Sequence, residues 1–505
     1  MDAMYDSLQT LDSAEFLAGI AQMAWPPADL EPVSTGFSPQ SMHIPAGLKA
    51  FADFLRSFPP QFLLLALVPR ILLARKKPSA TLAWVWFALL FPYAGCFAYL
   101  LLGNIPKSHA SKLPLALSLR SRRRSTNRLQ VILERLTGNP PSRATRFTLH
   151  EGADSFYDTL SERVENSRSE VLFQTFVWRP DPVGTAFLKV LSKAAKRGVC
   201  VRLLLDPIGS LQLKENFLEP LHEAGGRFAW FRPTGILARM RHLNLRNHRK
   251  LQIIDGRVAF VGGMNVGAEH LTQKPGETVW RDLQAEVEGP VVAELRNRFA
   301  ADWVFATQEN LAKGVPALRR EKTGSPCHVL EGCPDPATHG LHGPLIALLN
   351  HAKHRVWIAT GYFAPSEPLL CALEICAARG VDVRLLISEK SDHPYLVIAG
   401  RSYYDELLYM GIRVYEYSKA IHHTKALLMD SSWVLIGSAN CDHRSLYHNF
   451  ELGLLQRCRK TARELEAIFT HDFAASREIA SPEFAKRPLR ARLLEALLRP
   501  LTPLF

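Results

Sequence analysis

No cysteine in this chain belongs to a doubled CxxC arrangement. The eight cysteines stand apart at 96, 200, 327, 333, 371, 376, 441 and 458. Neither a zinc site nor a disulfide framework is indicated by that spacing, and reduced thiols in a cytoplasm-facing protein fit it best. HExxH elements and acid-rich ligand clusters are missing too, so no resident metal is expected. The N-terminus lacks a basic stretch ahead of an apolar one, which excludes a recognisable secretory signal. Residues 1–56 instead carry seven acids (Asp2, Asp6, Asp12, Glu15, Asp29, Glu31, Asp53) against Lys49 and Arg56, and read as an acidic, partly disordered tail. What the 505 residues do hold is apolar material, 47%, and a net charge of +13. The first suffices for a substantial core. The second favours anionic partners: nucleic acid, acidic lipid headgroups or phosphate esters.

Charge is absent altogether from 78 to 106. Within that run TLAWVWFALLFPYAGCFAYLLLG is long enough to cross a hydrocarbon core, and Trp84, Trp86, Tyr93 and Tyr99 suit interface positions. An earlier apolar stretch, 57–74, is interrupted by Pro69 and Arg70 and reads as a short tilted span or a re-entrant segment. Residues 57–104 are therefore expected to anchor the chain in a membrane. A basic juxtamembrane linker, 105–145, follows, with Lys107, Lys112, Arg120, Arg122, Arg123, Arg124 and Arg128 and no acid up to that point. The positive-inside rule then places the rest of the chain in the cytoplasm. Arg75-Lys76-Lys77 is basic as well, and a shallow hairpin with both ends on the cytoplasmic side reconciles the two clusters. The linker's charge also suits anionic lipid.

From about residue 146 the pattern changes to alternating strands and helices. VLFQTFVW (171–178) has strand character, TAFLKVLSKAAKRG has helical spacing closed by glycine, and VCVRLLLD (199–206) is again a strand. The same order returns as VWIATGYF (356–363), LLCALEICAARG and VDVRLLIS (381–388). This is an internal duplication. It predicts two matched α/β halves, 146–315 and 325–480, each with a largely parallel sheet flanked by helices. The last segment, 481–505, is Arg/Leu-rich. Leu489, Leu493, Leu494, Leu497 and Leu498 follow helical spacing, as an amphipathic helix does that docks on the domain or lies on a bilayer.

The chemistry sits inside the duplication. NHRKLQIIDGRVAFVGGMN (247–265) and HHTKALLMDSSWVLIGSAN (422–440) align without a gap, and both read HxKxxxxD followed by GxxN. His248 thus matches His423, Lys250 matches Lys425, Asp255 matches Asp430, and Asn265 matches Asn440. In an extended strand, residues two apart share a face, so each histidine projects with its lysine while His422 points the other way. A phosphodiester needs such a pair: a nucleophile for phosphorus, and a cation for the non-bridging oxygens as charge builds. Asp255 and Asp430 lie an odd number of positions from their histidines and at bends, where Asp255-Gly256 is a hairpin dipeptide. They are expected to brace the loop. An imidazole also needs an acceptor on its second nitrogen, for which Asp282 in VWRDL and Glu451 in HNFEL are the candidates.

The doubled motif resembles the HKD signature of the phospholipase D superfamily. The apolar segment ending YLLLG, the VWRDL and EGP stretches, ATGYFAP, RSYYDELLYMGIRVYEY and NCDHRSLYHNFE are similar to bacterial cardiolipin synthases, over roughly residues 57–475. The resemblance implies two pseudo-symmetric α/β sandwich halves with one shared active site, preceded by an N-terminal membrane-embedded helical segment. It implies a phosphatidyltransferase of the bacterial inner membrane that joins two phosphatidylglycerols, releases glycerol, passes through a phosphohistidine and uses no cofactor. By the same resemblance His248 and His423 are the catalytic pair, with His248 as nucleophile. Lys250, Lys425, Asn265 and Asn440 hold the phosphate, and Asp282 and Glu451 orient the histidines. The alternatives are a phospholipase D-type or other phosphodiesterase hydrolase and an inactive membrane scaffold; nucleic acid is not an expected partner of a chain with this apolar segment. The register of the doublet has a direct consequence. His423→Ala is expected to abolish turnover and His422→Ala to leave most of it; comparable losses in an activity assay would overturn the alignment.

Overall fold

A computed structural model describes residues 60–74, 78–99, 103, 128–232, 245–271, 279–311, 323–334 and 340–504. The acidic tail, the Arg75-Lys76-Lys77 turn and the linker's basic run before Arg128 lie outside these residues. The chain forms two compact units, one ending at Cys96 and one beginning at Phe97.

In the first unit the helices Pro60–Leu73 and Pro78–Leu90 pack against each other. Each opens on a proline, whose missing amide costs nothing in a first turn. At ~1.5 Å per residue neither helix reaches the ~30 Å of a hydrocarbon core. Among the described residues no helix is long and apolar enough to cross a membrane. The run that the sequence offers as one span is divided at Phe91, and a helix restarts at Pro92. Pro92 has no amide to continue the ladder, and a Cβ on Gly95 would lie 2.7 Å from the Ala88 Cα. The backbone therefore doubles back there, which a straight helix excludes and a side chain would block. Phe62, Leu65, Leu72, Leu73, Trp86 and Leu90 remain exposed on this unit.

The second unit holds both halves. The first sheet runs, in spatial order, Arg146–Glu151, Leu283–Glu288, Val258–Gly262, Leu251–Ile254, Glu170–Thr175, Cys200–Leu205, Arg227–Trp230. The second runs Ser142–Ala144, Ser325–Gly332, Asn449–Arg457, Trp433–Gly437, Ala426–Met429, Arg355–Thr360, Asp382–Ser388, Arg413–Tyr417, Ser476–Glu478. The seven strands of the first sheet recur in the same spatial order in the second, which adds Ser142–Ala144 and Ser476–Glu478 at its two ends. The expectation of largely parallel sheets needs correction. Within the two large sheets the β-α-β strands pair in parallel, and the strands on the other side are antiparallel. The cause is the motif itself. Leu251–Ile254 and Val258–Gly262 form a tight hairpin, as do Ala426–Met429 and Trp433–Gly437, and a tight hairpin reverses the chain.

Apolar packing joins the halves. Leu251, Val261 and Trp303 of the first cluster with Val329, Phe450 and Leu452 of the second, and Leu283 and Ala285 with Trp357, Leu428 and Phe469. The end of the segment read as a linker also folds here. Helix Arg128–Thr137 buries Leu129 and Leu133 in the second half's core, and Ser142–Ala144 extends that half's sheet.

Both hairpin turns rest on an aspartate in the left-handed region, Asp255 at φ 53° and Asp430 at φ 51°. The Asp255 carboxylate accepts from the amides of Arg168, Ser169 and Glu170 at 3.0, 2.7 and 3.1 Å. Asp430 accepts from those of Lys353, His354 and Arg355 at 3.2, 2.8 and 3.2 Å. Each thus ties a motif hairpin to the loop that opens the central strand. Asp255→Ala should lower stability by about 1–3 kcal/mol, seen as a fall in Tm, with kcat of the folded fraction kept. A large kcat loss at unchanged Tm would instead make the aspartate a reacting group.

Candidate active site

The extended segments that precede the two motif hairpins meet at the interface between the halves. Arg246–Asn247 runs parallel to the start of Asn449–Arg457, and the His248 amide donates to the Phe450 carbonyl at 2.9 Å. On the other side Arg281 bridges His422 in parallel, and the His423 amide donates to the Arg281 carbonyl at 2.7 Å. Each histidine is therefore laid beside the carboxylate of the opposite half.

His248 Nδ1 lies 3.0 and 3.1 Å from the two Glu451 oxygens, and His423 Nδ1 lies 2.6 Å from Asp282 Oδ2. Since an ionised carboxylate only accepts, each Nδ1 carries the proton and each Nε2 keeps its lone pair. The lysines are fixed alike: Lys250 Nζ donates to the His248 carbonyl at 2.8 Å, and Lys425 Nζ donates to that of His423. Asn265 Oδ1 accepts from the Val177 amide at 3.1 Å, which leaves its NH₂ to donate. Asn440 Oδ1 is buried with no hydrogen-bond partner among the described residues. Asp255 and Asp430 stay at their turns, away from this cluster. Two matched positions have diverged. At Gly263 a Cβ would come within 2.3 Å of Asp282 Oδ1, so only glycine lets that carboxylate reach His423. Its counterpart Ser438 has room, and its hydroxyl donates to Glu451.

Burial dominates the electrostatics. His248, Lys250, His423 and Lys425 are all buried. Desolvation, partly offset by Glu451, lowers His248 to about 4. His423 is pushed well below its usual range by burial and then by Lys425 and Lys250. Both imidazoles are thus neutral in the empty site. Burial also brings Lys250 down to about 7, with Lys425 adding to the fall, and Lys425 down to about 8, while Glu451 and Asp282 offset part of the effect on both. Glu451 is held at about 2, where His248 and Lys250 outweigh its burial. Asp282 is raised by burial.

The second histidine of the doublet has its own partner. His422 is fully buried; its amide donates to Ser388 Oγ at 2.8 Å and its Nε2 lies 3.4 Å from Asp472. The aligned Asn247 does the same: its amide donates to Asp206 at 2.8 Å and its Nδ2 lies 3.4 Å from Asp302. Asp302 and Asp472 sit on the matched helices Val291–Thr307 and Arg459–Ala474. They also hold Arg249 at 2.6 Å and Arg281 at 3.1 Å, the residues beside His248 and Asp282. The sequence reading omits this aspartate–arginine layer, though the Arg249 and Asn247/His422 positions were in view within the aligned motifs. His270 escapes it too. Its Nε2 accepts from the Asn265 amide at 3.4 Å, its ring lies 6.1 Å from that of His423, and burial lowers it to about 3. Phe176 and Trp280 close over His248 and His423, with ring centroids 4.8 and 4.9 Å away.

Two matched α/β halves with crossed histidine–carboxylate pairs and two buried lysines define a phospholipase D-type protein. The profile described as "Cardiolipin synthase, PLD-like domain" matches residues 160–303 and 345–473, and a phospholipase D-nuclease N-terminal profile matches 62–104. The chain belongs to the cardiolipin synthase, PLD-like family. It is 31% identical over 455 residues to a cardiolipin synthase of Geobacillus kaustophilus, covering 86% of this chain and 91% of that one. Identity is 33% over 457 residues to cardiolipin synthase 2 of Bacillus anthracis, with 86% and 88% covered. Among solved structures, phosphatidylserine synthase of Haemophilus influenzae superposes with a TM-score of 0.58 at 13% identity over 75% of this chain and all of that one. That likeness is one of fold.

The lowered lysines give the site a measurable proton linkage. A bound phosphate-like anion favours their charged forms, so binding takes up protons where the empty site has lost them. Lys250 at about 7 and Lys425 at about 8 place that window on the alkaline side of neutrality. Calorimetric titration with tungstate in buffers of different ionisation heat should report more proton uptake at pH ~8 than at pH ~6, by the share that the lysines have lost. Equal values at both would show the lysines fully charged beforehand.

Proposed function

We propose that this phosphatidyltransferase is a cardiolipin synthase: one phosphatidylglycerol donates its phosphatidyl group to the glycerol hydroxyl of a second, with release of glycerol. The observation that carries the mechanism is the pair of buried imidazoles. Each is held through Nδ1 by a carboxylate, leaves Nε2 free and has a lysine beside it.

His248 is assigned as the nucleophile, because Glu451 is the firmer carboxylate of the two, held ionised and bonded by Ser438 as well. Binding of the anionic donor is accompanied by protonation of His423 at Nε2; Nε2 of His248 then attacks phosphorus while the P–O bond to the donor's glycerol breaks, and His423 gives that proton to the departing oxygen. The anionic donor restores the charge balance that Lys250 and Lys425 lack in the empty site. The amide NH₂ of Asn265 and the amide of Asn440 complete the contacts to non-bridging oxygens. His423, now neutral, takes the proton of the acceptor's hydroxyl, whose oxygen displaces Nε2 of His248 from phosphorus. The products are one lipid with two phosphatidyl groups and one glycerol, and both histidines return to their starting state.

The N-terminal apolar helices, with Phe62, Leu65, Trp86 and Leu90 exposed, act as a membrane anchor of re-entrant hairpin form. The basic linker lies on the cytoplasmic face, beside the headgroups. Such an anchor raises the effective concentration of both lipids. Purified chain in mixed micelles with phosphatidylglycerol labelled in its glycerol and phosphate should yield free glycerol and the doubled lipid. Quenched during turnover, the parent chain should carry acid-labile phosphate that His248→Ala lacks. Phosphatidic acid as sole lipid product would make the chain a hydrolase, and an absence of turnover would sink the enzymatic reading.

A further inference from the structure

The C-terminal helix Leu489–Leu498 and the turn Arg499–Leu504 after it are mounted with their polarity inverted. Facing the protein are Ala491, Glu495 and Thr502, each 5% exposed or less. Facing outward are Leu489, Leu493 and Leu497 at 68, 62 and 61% exposed, and Leu501 at 39%. Four-residue steps set these leucines on one stripe. The inward face is held by polar clamps. Arg487 pairs with Glu495 and Asp405 at 2.9 and 2.7 Å, Arg499 reaches Glu406 and the Ser402 carbonyl at 2.9 and 3.1 Å, and Thr502 meets the Tyr403 hydroxyl at 3.1 Å.

A helix kept only for packing buries its leucines and leaves its charges in water. This one does the reverse, at a fixed position, so its leucines await another apolar phase. Charge says which. Lys486, Arg490 and Arg492 are exposed around the stripe, and the acid within the helix, Glu495, is buried against Arg487. A basic border around an apolar stripe matches an anionic phospholipid surface, whereas a second copy of the same face would bring like charges together. The location agrees. The helix packs on Pro394–Arg401 and the turn packs on His443–Tyr447. The first begins just after Asp392, which binds the Tyr362 hydroxyl at 2.6 Å, and Tyr362 lies 6.4 Å from His423. The second follows Asn440.

We infer that the Leu489–Leu493–Leu497–Leu501 stripe is a second membrane contact, which inserts into an anionic bilayer and holds the catalytic halves against their lipid substrate. The inference rests on the lipid-substrate reading, and its two tests separate them. The first is kinetic. L493E/L497E should lose at least tenfold in kcat/KM on phosphatidylglycerol vesicles while keeping its rate on monomeric short-chain phosphatidylglycerol. Equal vesicle rates in variant and parent would overturn the contact, while an inert parent on both substrates would overturn the function and leave the contact to the second test. That test needs no turnover. A fluorophore on Leu493→Cys, with exposed Cys200 and Cys371 replaced by Ser, should be quenched by phosphatidylglycerol nanodiscs carrying acyl-chain quenchers. A label that is unquenched, whether open to water or already shielded without lipid by this chain or a second copy, overturns the inference even if the double variant fails to fold.

Discussion

The site depends on one constraint: each histidine takes its orienting carboxylate from the other half. Glu451 holds His248 and Asp282 holds His423, so neither half contains a finished catalytic group. This requires the halves to meet in register. Paired backbone bonds supply that register, His248 to Phe450 and His423 to Arg281, with apolar clusters behind them drawn from both sheets. Duplication here does more than double a motif. It makes the interface between copies the place where chemistry is assembled.

Around that axis the two copies share a scaffold and differ where the chemistry must differ. The turn aspartates, the helix aspartates and the residues before the histidines occupy matched roles. Gly263 and Ser438 do not. Glycine lets Asp282 close on His423, while serine gives Glu451 a further donor and helps keep it ionised. One carboxylate is depressed and the other raised. An environment that separates two equivalent carboxylates in this way supports the distinct roles proposed for the two histidines.

Much of this was legible in the amino-acid order. The gapless match of 247–265 with 422–440 identified the His/Lys pairs and the duplication, because extended segments map spacing onto faces directly. The crossing of the carboxylates was not legible: sequence distance from a GxxN says nothing about which half an acid will face. The mixed sheets were missed for a related reason, since β-α-β units announce parallel strands and the motif hairpins were read for chemistry alone. The division of the apolar run at Phe91 follows from Pro92 and Gly95, both visible, but hydropathy over a long window averages such breaks away. His422 pointed off the catalytic face as the strand period required. Its bond to Asp472 lay beyond reach, because that aspartate sits on a helix fifty residues later.

The burial that lowers both lysines and both imidazoles is costly in an empty site, and its sign explains why the site selects an anion. Two ammonium groups held out of water by burial, with Glu451 and Asp282 each already bonded to a histidine, are short of negative charge. A phosphodiester supplies that charge. Its arrival draws protons onto the lysines and makes a protonated imidazole affordable beside it, which is the form needed to release an alcohol. The same balance disfavours a neutral lipid, and the rings of Phe176 and Trp280 lie against His248 and His423, where they take up space that water would otherwise fill. In the transfer proposed above, exclusion counts as much as recognition: an acceptor held by its own acyl chains in the surface from which the donor came is the alcohol best placed to reach the phosphorus.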